Sequence, residues 1–331
     1  MNDSTSSCLI IGAGVTGLIA ANILQEQGVK VTLLDKGRGV GGRLATRRIQ
    51  KGVFDHGAQY FTVTSPRFWI FVEEWLNAGV IAEWTRAFPT CQGVWSDDRE
   101  PRYLGVGGMT TLAKYLARAL DVRLNERVIS LRAENSGWQI RTEAGLVFNA
   151  DALILTPPVP QSLQLIQASE IYLPPDIKAA LSSVTYQPCL GVLVLVSGKS
   201  RVPSPGGVWC NDESILWISD NQQKGISPDA AALTIHLSPL FSQAFWERSD
   251  DEVLETVLPM ATPYLGAEII HAEVKRWRYS SPDSFISEPS LAVLEPAPIA
   301  FAGDAFVSPC IEGATLSGLA VAEQICEMMR I

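Results

Sequence analysis

The first strong pattern along the chain is an apolar run, Cys8-Leu9-Ile10-Ile11, that stops at Gly12 and gives way to a helical alternation from Leu18 to Gln27. A short apolar run bounded by glycine predicts a buried strand, and the one-sided apolar stripe behind it predicts a helix that Gly28 ends. Val29 to Leu34 then reads as a second strand, closed by Asp35. Further on, Ser65 or Pro66 starts a predicted helix through Leu76, and residues 80–104 read as short strands separated by turns. A helix over Thr110 to Ala119 precedes the strands Val122–Leu124, Arg127–Ala133, Trp138–Thr142 and Ala152–Thr156. Pro157, Pro158 and Pro160 predict a crossing into a second domain. There a short helix over Ile177–Leu181 leads to an antiparallel series: Cys189–Val196, Val208–Cys210, Ile215–Ser219, Ala232–His236 and Ile269–Trp277. An amphipathic helix over Asp250–Ala261, capped by Ser249 or Asp250, interrupts that series. The chain ends on a short strand, Ile299–Ala302, and a helix reaching Met329.

Gly12, Gly14 and Gly17 stand at the first strand–helix junction in G-x-G-x-x-G spacing. Gly12 permits the tight turn, Gly14 lets a pyrophosphate approach the main chain, and Gly17 lets the helix pack on the strand. The free N–H groups and positive dipole end of such a helix attract phosphate. Asp35, 23 residues after Gly12, is placed to accept ribose hydroxyls. Six basic residues and no acidic one lie from Lys36 to Lys51, around Gly41-Gly42-Arg43. Paired glycines with an arginine predict backbone wrapped around a diphosphate, and a second such loop behind the first points to FAD. The cofactor set is therefore Gly12, Gly14, Gly17, Asp35, Lys36 and Arg43, joined by Gly57, Ala58, Gln59 and Val128. Near the end, Gly303 and Asp304 follow the last strand, Asp304 being suited to ribityl hydroxyls. Gly313 and Ala314 open the last helix, where its dipole end can support a reduced flavin.

These patterns predict an α/β protein with a discontinuous Rossmann-like FAD-binding domain (residues 1–64, 103–158 and 290–331). A mostly antiparallel β-sheet substrate domain with helices (65–102 and 159–289) is inserted into it. Composition narrows the partners. A net charge of −9 argues against nucleic acid, so an anion site must be local. Six cysteines lie scattered without a C-x-x-C pair, and several sit in apolar runs where a reduced, buried thiol is expected; three histidines without ligand spacing argue against a structural metal. The first seven residues are polar, and no signal peptide or apolar span of about 20 residues is expected, which points to the cytoplasm and away from membranes. No oligomeric state follows from these patterns.

With those residues in hand, the chain resembles the renalases, within the wider flavin amine oxidase superfamily. The likeness rests on GAGVTGL, RGVGGRLATRR, FDHGAQYF, GVGGMTTLAKYLA, TIHLSP with Ser242 after it, KRWRY, and FAGDAF followed by EGATLSGLA. One departure is Phe241 before Ser242, where the family commonly carries tryptophan. The resemblance implies a non-covalent FAD that takes hydride from the 2- and 6-dihydro isomers of NAD(P)H. The products would be NAD(P)+ and, with O2, hydrogen peroxide. The small-molecule partner is then a dihydronicotinamide dinucleotide. Gln59 and Tyr60 are expected in the active-site wall, with His236 gripping substrate. Trp277 and Tyr279, sharing one face of a strand, are expected to wall the pocket while Arg278 points away and His56 stands behind. The alternatives are a flavin amine oxidase acting on a small amine, and a non-catalytic flavoprotein or redox sensor. No aromatic cage for an amine is legible in the sequence.

Overall fold

In the computed structural model, residues 6–96, 99–134, 137–210 and 213–330 are described. Residues 1–5 of the polar N-terminus, and residues 97 and 98 in the stretch read as short strands, lie outside them.

The first apolar run becomes the strand Ser7–Ile11 and lies inside a six-stranded sheet. Across the sheet the order is Leu291–Val293, Ile299–Phe301, Ala152–Leu155, Ser7–Ile11, Lys30–Asp35 and Asp121–Leu124; only the first pair is antiparallel. Alternation along Ser7–Ile11 divides the core in two. Cys8 and Ile10 face one cluster and Leu9 and Ile11 the other. The first cluster is covered by the helices Val15–Glu26, Pro66–Asn77, Thr110–Ala117 and Ile311–Met329. The second lies under the three-stranded sheet formed by Val128–Glu134, Gly137–Thr142 and Val147–Ala150, with the helices Val159–Ala168 and Pro175–Ser182.

A separate antiparallel sheet holds, in order, Gly207–Trp209, Ile215–Asp220, Ala231–Leu237, Tyr186–Val196 and Ile269–Pro282. The helix Asp250–Leu265 covers one face; its capping box joins Ser249 and Glu252. On the other face the hairpin Thr46–Ile49/Gly52–Asp55 inserts Phe54 against Leu193, Leu195 and Ala232. That hairpin brings the cofactor-domain motifs against the substrate sheet.

Helix Pro66–Asn77 packs with the parallel-sheet body, because Phe68, Val72 and Trp75 share one core with Cys8, Ile10 and Leu18. Of residues 65–102, the segment around Cys91 joins the antiparallel sheet, through Cys91 N–H to the Trp209 carbonyl. Pro158 precedes a helix with Pro160 in its first turn, where a missing N–H costs nothing, and Ile166 and Leu181 pack under the parallel sheet. The expectation of reduced thiols does not hold for every cysteine: Cys91 and Cys210 form a disulfide across 119 residues. Cys8 is a buried free thiol and Cys189 a half-buried one, pushed up to about 12 by desolvation.

Candidate active site

The glycine turn is built as its spacing requires. Gly12 adopts φ +103°, and a Cβ on Gly17 would lie 2.1 Å from the Gly12 carbonyl oxygen. Gly14 caps helix Val15–Glu26 in extended conformation with no side chain bonding the first-turn N–H groups, and nothing lies within 4 Å of where its Cβ would be. The second glycine loop closes beside it: Gly41 N–H donates to the Ala13 carbonyl at 2.8 Å, and a Cβ on Gly42 would lie 3.7 Å from Gly14 Cα. The last helix starts at the same place, since Thr16 Oγ1 donates to the Ala314 carbonyl at 2.8 Å. Two helix N-termini and a bare-backbone cradle thus converge, and this arrangement fits the diphosphate of a dinucleotide.

Asp35 stands at the rim, accepting N–H donors from Ala13 (2.7 Å) and Gly37 (2.6 Å). Lys36 turns instead to Gln161 Oε1 at 2.7 Å, its pKa lowered chiefly by burial. Val128 is a half-buried strand residue. It lies two positions after Glu126, whose N–H bonds the Asp35 carbonyl.

Arg43 reaches across the molecule. Its Nη2 is 2.6 Å from Asp304 Oδ1, its Nη1 meets Asp304 Oδ2, and Nη1 also donates to the Tyr279 and Ser280 carbonyls at 3.3 Å each. Tyr186 O–H donates to Asp304 as well and packs edge-on to Tyr279 at 5.6 Å. Arg43's main chain shapes the neighbouring loop. A Cβ on Gly57 would lie 2.0 Å from the Arg43 carbonyl oxygen, which also accepts Ala58 N–H. Gly303 is held by Ser317 Oγ, and a Cβ on Gly313 would lie 2.1 Å from the Ser308 carbonyl oxygen.

Residues Asp55 to Gln59 form a tongue with nearly every polar group engaged. Gln59 is buried; its amide nitrogen donates to the Asp55 and Gly57 carbonyls, and its oxygen accepts from Ser219 Oγ at 2.8 Å. The His56 carbonyl receives Trp277 Nε1 at 2.8 Å and stands 3.3 Å from His236 Nε2. Gln59, His236 and Trp277 therefore come together through the tongue's main chain. His236 is desolvated and its pKa falls to about 4, so near neutral pH it donates Nε2–H and keeps Nδ1 as an acceptor. His56, stacked on Trp277 at 5.2 Å, is likewise lowered to about 4, first by burial and then by Lys275; its Nδ1 is buried without a partner. Neither ring is protonated at neutral pH.

Tyr60 faces an aromatic group the sequence did not disclose: Phe88 at 5.2 Å, Trp217 at 5.9 Å and Trp84 at 6.3 Å. Trp84 and Phe88 come from one segment and Trp217 from another, both far from Tyr60 along the chain, so no spacing announces the group. Tyr186, Ser219 and Lys224 escaped notice for the same reason. Asp55 lies within FDHGAQYF and was legible, but its partner was not. On strand Ile269–Pro282 Arg278 points to the opposite face, over the Trp246 ring. Among the described residues no group of three His, Cys, Asp or Glu side chains could hold a metal, and no helix is long and apolar enough to cross a membrane.

Known proteins share this design. Residues 10–75 match the NAD(P)-binding Rossmann-like domain, and residues 93–326 match the flavin containing amine oxidoreductase family. The chain is 28% identical to renalase of Mus musculus, covering 96% of this chain and 97% of that protein. It is 27% identical to polyamine oxidase 4 of Oryza sativa subsp. japonica, over 67% of this chain and 48% of that one. Putrescine oxidase bound to putrescine superposes with a TM-score of 0.74 at 18% identity, over 98% of this chain and 99% of that chain, which speaks for the fold. A glycine cradle that fits a dinucleotide and a family match over most of the chain agree: the chain is similar to renalase and belongs to the flavin containing amine oxidoreductase family.

Proposed function

We propose that the protein binds FAD non-covalently and oxidises the 2- and 6-dihydro isomers of NAD(P)H to NAD(P)+, with O2 converted to hydrogen peroxide. When bound, FAD supplies the two-electron acceptor that oxygen regenerates. The glycine turn, Asp35, Arg43, Asp304 and the start of the last helix are the groups we assign to holding it. No cysteine or histidine lies in a recognisable flavin-attachment phrase.

The observation that carries the substrate reading is that, among the described residues, the carboxylates of the site are engaged and its histidines are weak bases. His56 and His236 are neutral, and Gln59 is consumed by the tongue. Asp55, Asp304 and Glu312 are engaged by Lys224, by Arg43, and by Thr64 and Ser65. Hydride leaves with its electrons, so the protein need only desolvate and orient a flat ring. Trp277, Tyr279 and Tyr60 serve as the walls in this reading, and the Nδ1 acceptor of His236 suits a carboxamide N–H.

Oxidation of a small amine is the second reading, favoured by the aromatic group around Tyr60. The engaged carboxylates weigh against it, because an ammonium substrate would find no unpaired carboxylate among them to draw it in.

Anaerobic stopped-flow mixing separates the two. The dihydro isomers should bleach the flavin rapidly and stoichiometrically, with ordinary NADH and simple amines slow or inert, and oxygen should restore the colour with one peroxide per turnover. Misplacing the donor carbon by more than an ångström costs about 100-fold. Fast bleaching by an amine alone would establish the second reading; bleaching by neither class would leave a non-catalytic flavoprotein or redox sensor. Acid precipitation should release the FAD, and flavin retained in the pellet would refute non-covalent binding.

A further inference from the structure

Asp55 and Lys224 form an ion pair 169 residues apart in sequence, at 2.7 Å, with neither side chain exposed. Burial pulls the Lys224 pKa down while Asp55 holds it up. The ammonium also lies over the Trp84 ring, 5.0 Å away, and Trp84 packs against Tyr60. Removing both charges from water costs about what their attraction returns, so two apolar side chains of the same volume would stabilise the fold as well. The pair is therefore not explained by stability. What it does that apolar packing cannot is hold specific atoms in register.

The Asp55 carboxylate is a hub. Its Oδ1 accepts Thr46 Oγ1 at 2.6 Å and Met109 N–H at 2.8 Å, while Oδ2 takes Lys224. The Asp55 carbonyl accepts Gln59 Nε2 at 2.7 Å and Thr234 Oγ1 at 2.9 Å. One residue thus ties the glycine–arginine loop, the turn before helix Thr110–Ala117 and the substrate sheet to the root of the tongue. Lys224 joins that root to the ring wall beside Tyr60.

We propose that Asp55 and Lys224 are positioning residues for the flavin reaction, which set the tongue Asp55–Gln59 and the Trp84–Tyr60 wall at a common distance from the reacting ring. The proposal rests on the reading that the tongue faces FAD. It concerns placement alone and involves no proton or electron transfer by the pair.

The test uses the FAD-loaded protein as wild type, as the charge-free double variant D55N/K224M, and as K224R, which keeps the charge but moves its centre. Three readouts are taken: thermal midpoint and FAD content, the visible flavin spectrum with iodide quenching of its fluorescence, and the limiting rate of anaerobic reduction by the dihydro isomers. The double variant should fold and hold FAD, yet reduce at least tenfold more slowly at saturating substrate and show shifted flavin bands. K224R should do the same with a smaller loss, and it decides the matter if the double variant does not fold. A folded, FAD-loaded variant with wild-type spectrum, quenching and limiting rate would overturn the proposal, since a merely structural role moves the thermal midpoint alone. If the isomers fail to reduce even the wild type, the substrate reading fails. The spectrum and quenching still decide this one.

Discussion

Arg43 and Asp304, 261 residues apart, meet in a two-pronged ion pair, with Nη2 2.6 Å from Oδ1 and the second prong between Nη1 and Oδ2. The same guanidinium bonds two carbonyls at the end of strand Ile269–Pro282, so one side chain joins the glycine loop, the last cofactor motif and the substrate sheet. The sequence reading gave both residues to FAD alone; the structure makes them also a fastening between the two sheets. Arg43→Met or Asp304→Asn should each cost about 2–3 kcal/mol. That is below the ~3–5 kcal/mol of a fully buried pair because part of Arg43 stays wet. The double variant should lose less than the sum by ~1 kcal/mol or more in urea denaturation, and strict additivity would show that the pair is not coupled.

Asp35→Ala should weaken FAD binding by about 1.5–3 kcal/mol, the worth of a charge-assisted hydrogen bond. Asp35 also holds the Ala13 and Gly37 N–H groups, so the apoprotein should become less stable too. Calorimetric titration of apoprotein with FAD checks the first effect, and an unchanged affinity would move the ribose contact elsewhere.

His56 and His236 both titrate near 4 in the folded chain against an ordinary 6.5. Between those values the unfolded chain binds more protons, so stability rises with pH there. The contribution is fully present above about 6.5 and is lost as pH falls toward 4, up to about 3 kcal/mol per histidine. Urea denaturation between pH 7.5 and 4.5 should show the fall, and His236→Gln should flatten it. A stability independent of pH over that range would mean that both rings sit in water.

Replacing Cys91 and Cys210 by serine removes a cross-link closing a long loop and should cost about 2–4 kcal/mol. The same loss should follow from adding reductant to the wild type, and reductant should not alter the serine variant. Equal midpoints for all four samples would show that the cross-link contributes nothing.

Much of the glycine cradle was legible because its geometry is local. Gly12 and Gly17 are needed where the chain itself turns back within six residues, and Gly41 and Gly42 where a short loop must take positive φ. Helix caps such as Ser65 and Ser249 bond N–H groups two or three residues away, and alternation along Ser7–Ile11 places successive side chains on opposite faces. In each case cause and effect lie within a few residues.

What tertiary structure alone decided is which distant partner each side chain meets. Apolar periodicity says that Phe68, Val72 and Trp75 are buried, not that they share a core with Cys8 and Leu18. A lysine in the polar stretch Asp220–Lys224 reads as solvated until the fold carries it to Asp55, and Gln59 reads as free until Ser219 takes its oxygen. Cys91 and Cys210 carry no spacing signal for the same reason. Hydrophobic burial is non-directional, so a sequence specifies that a face will be covered. Ion pairs, hydrogen bonds and disulfides need defined atoms at defined distances, and those are assigned only when segments far apart along the chain have packed together.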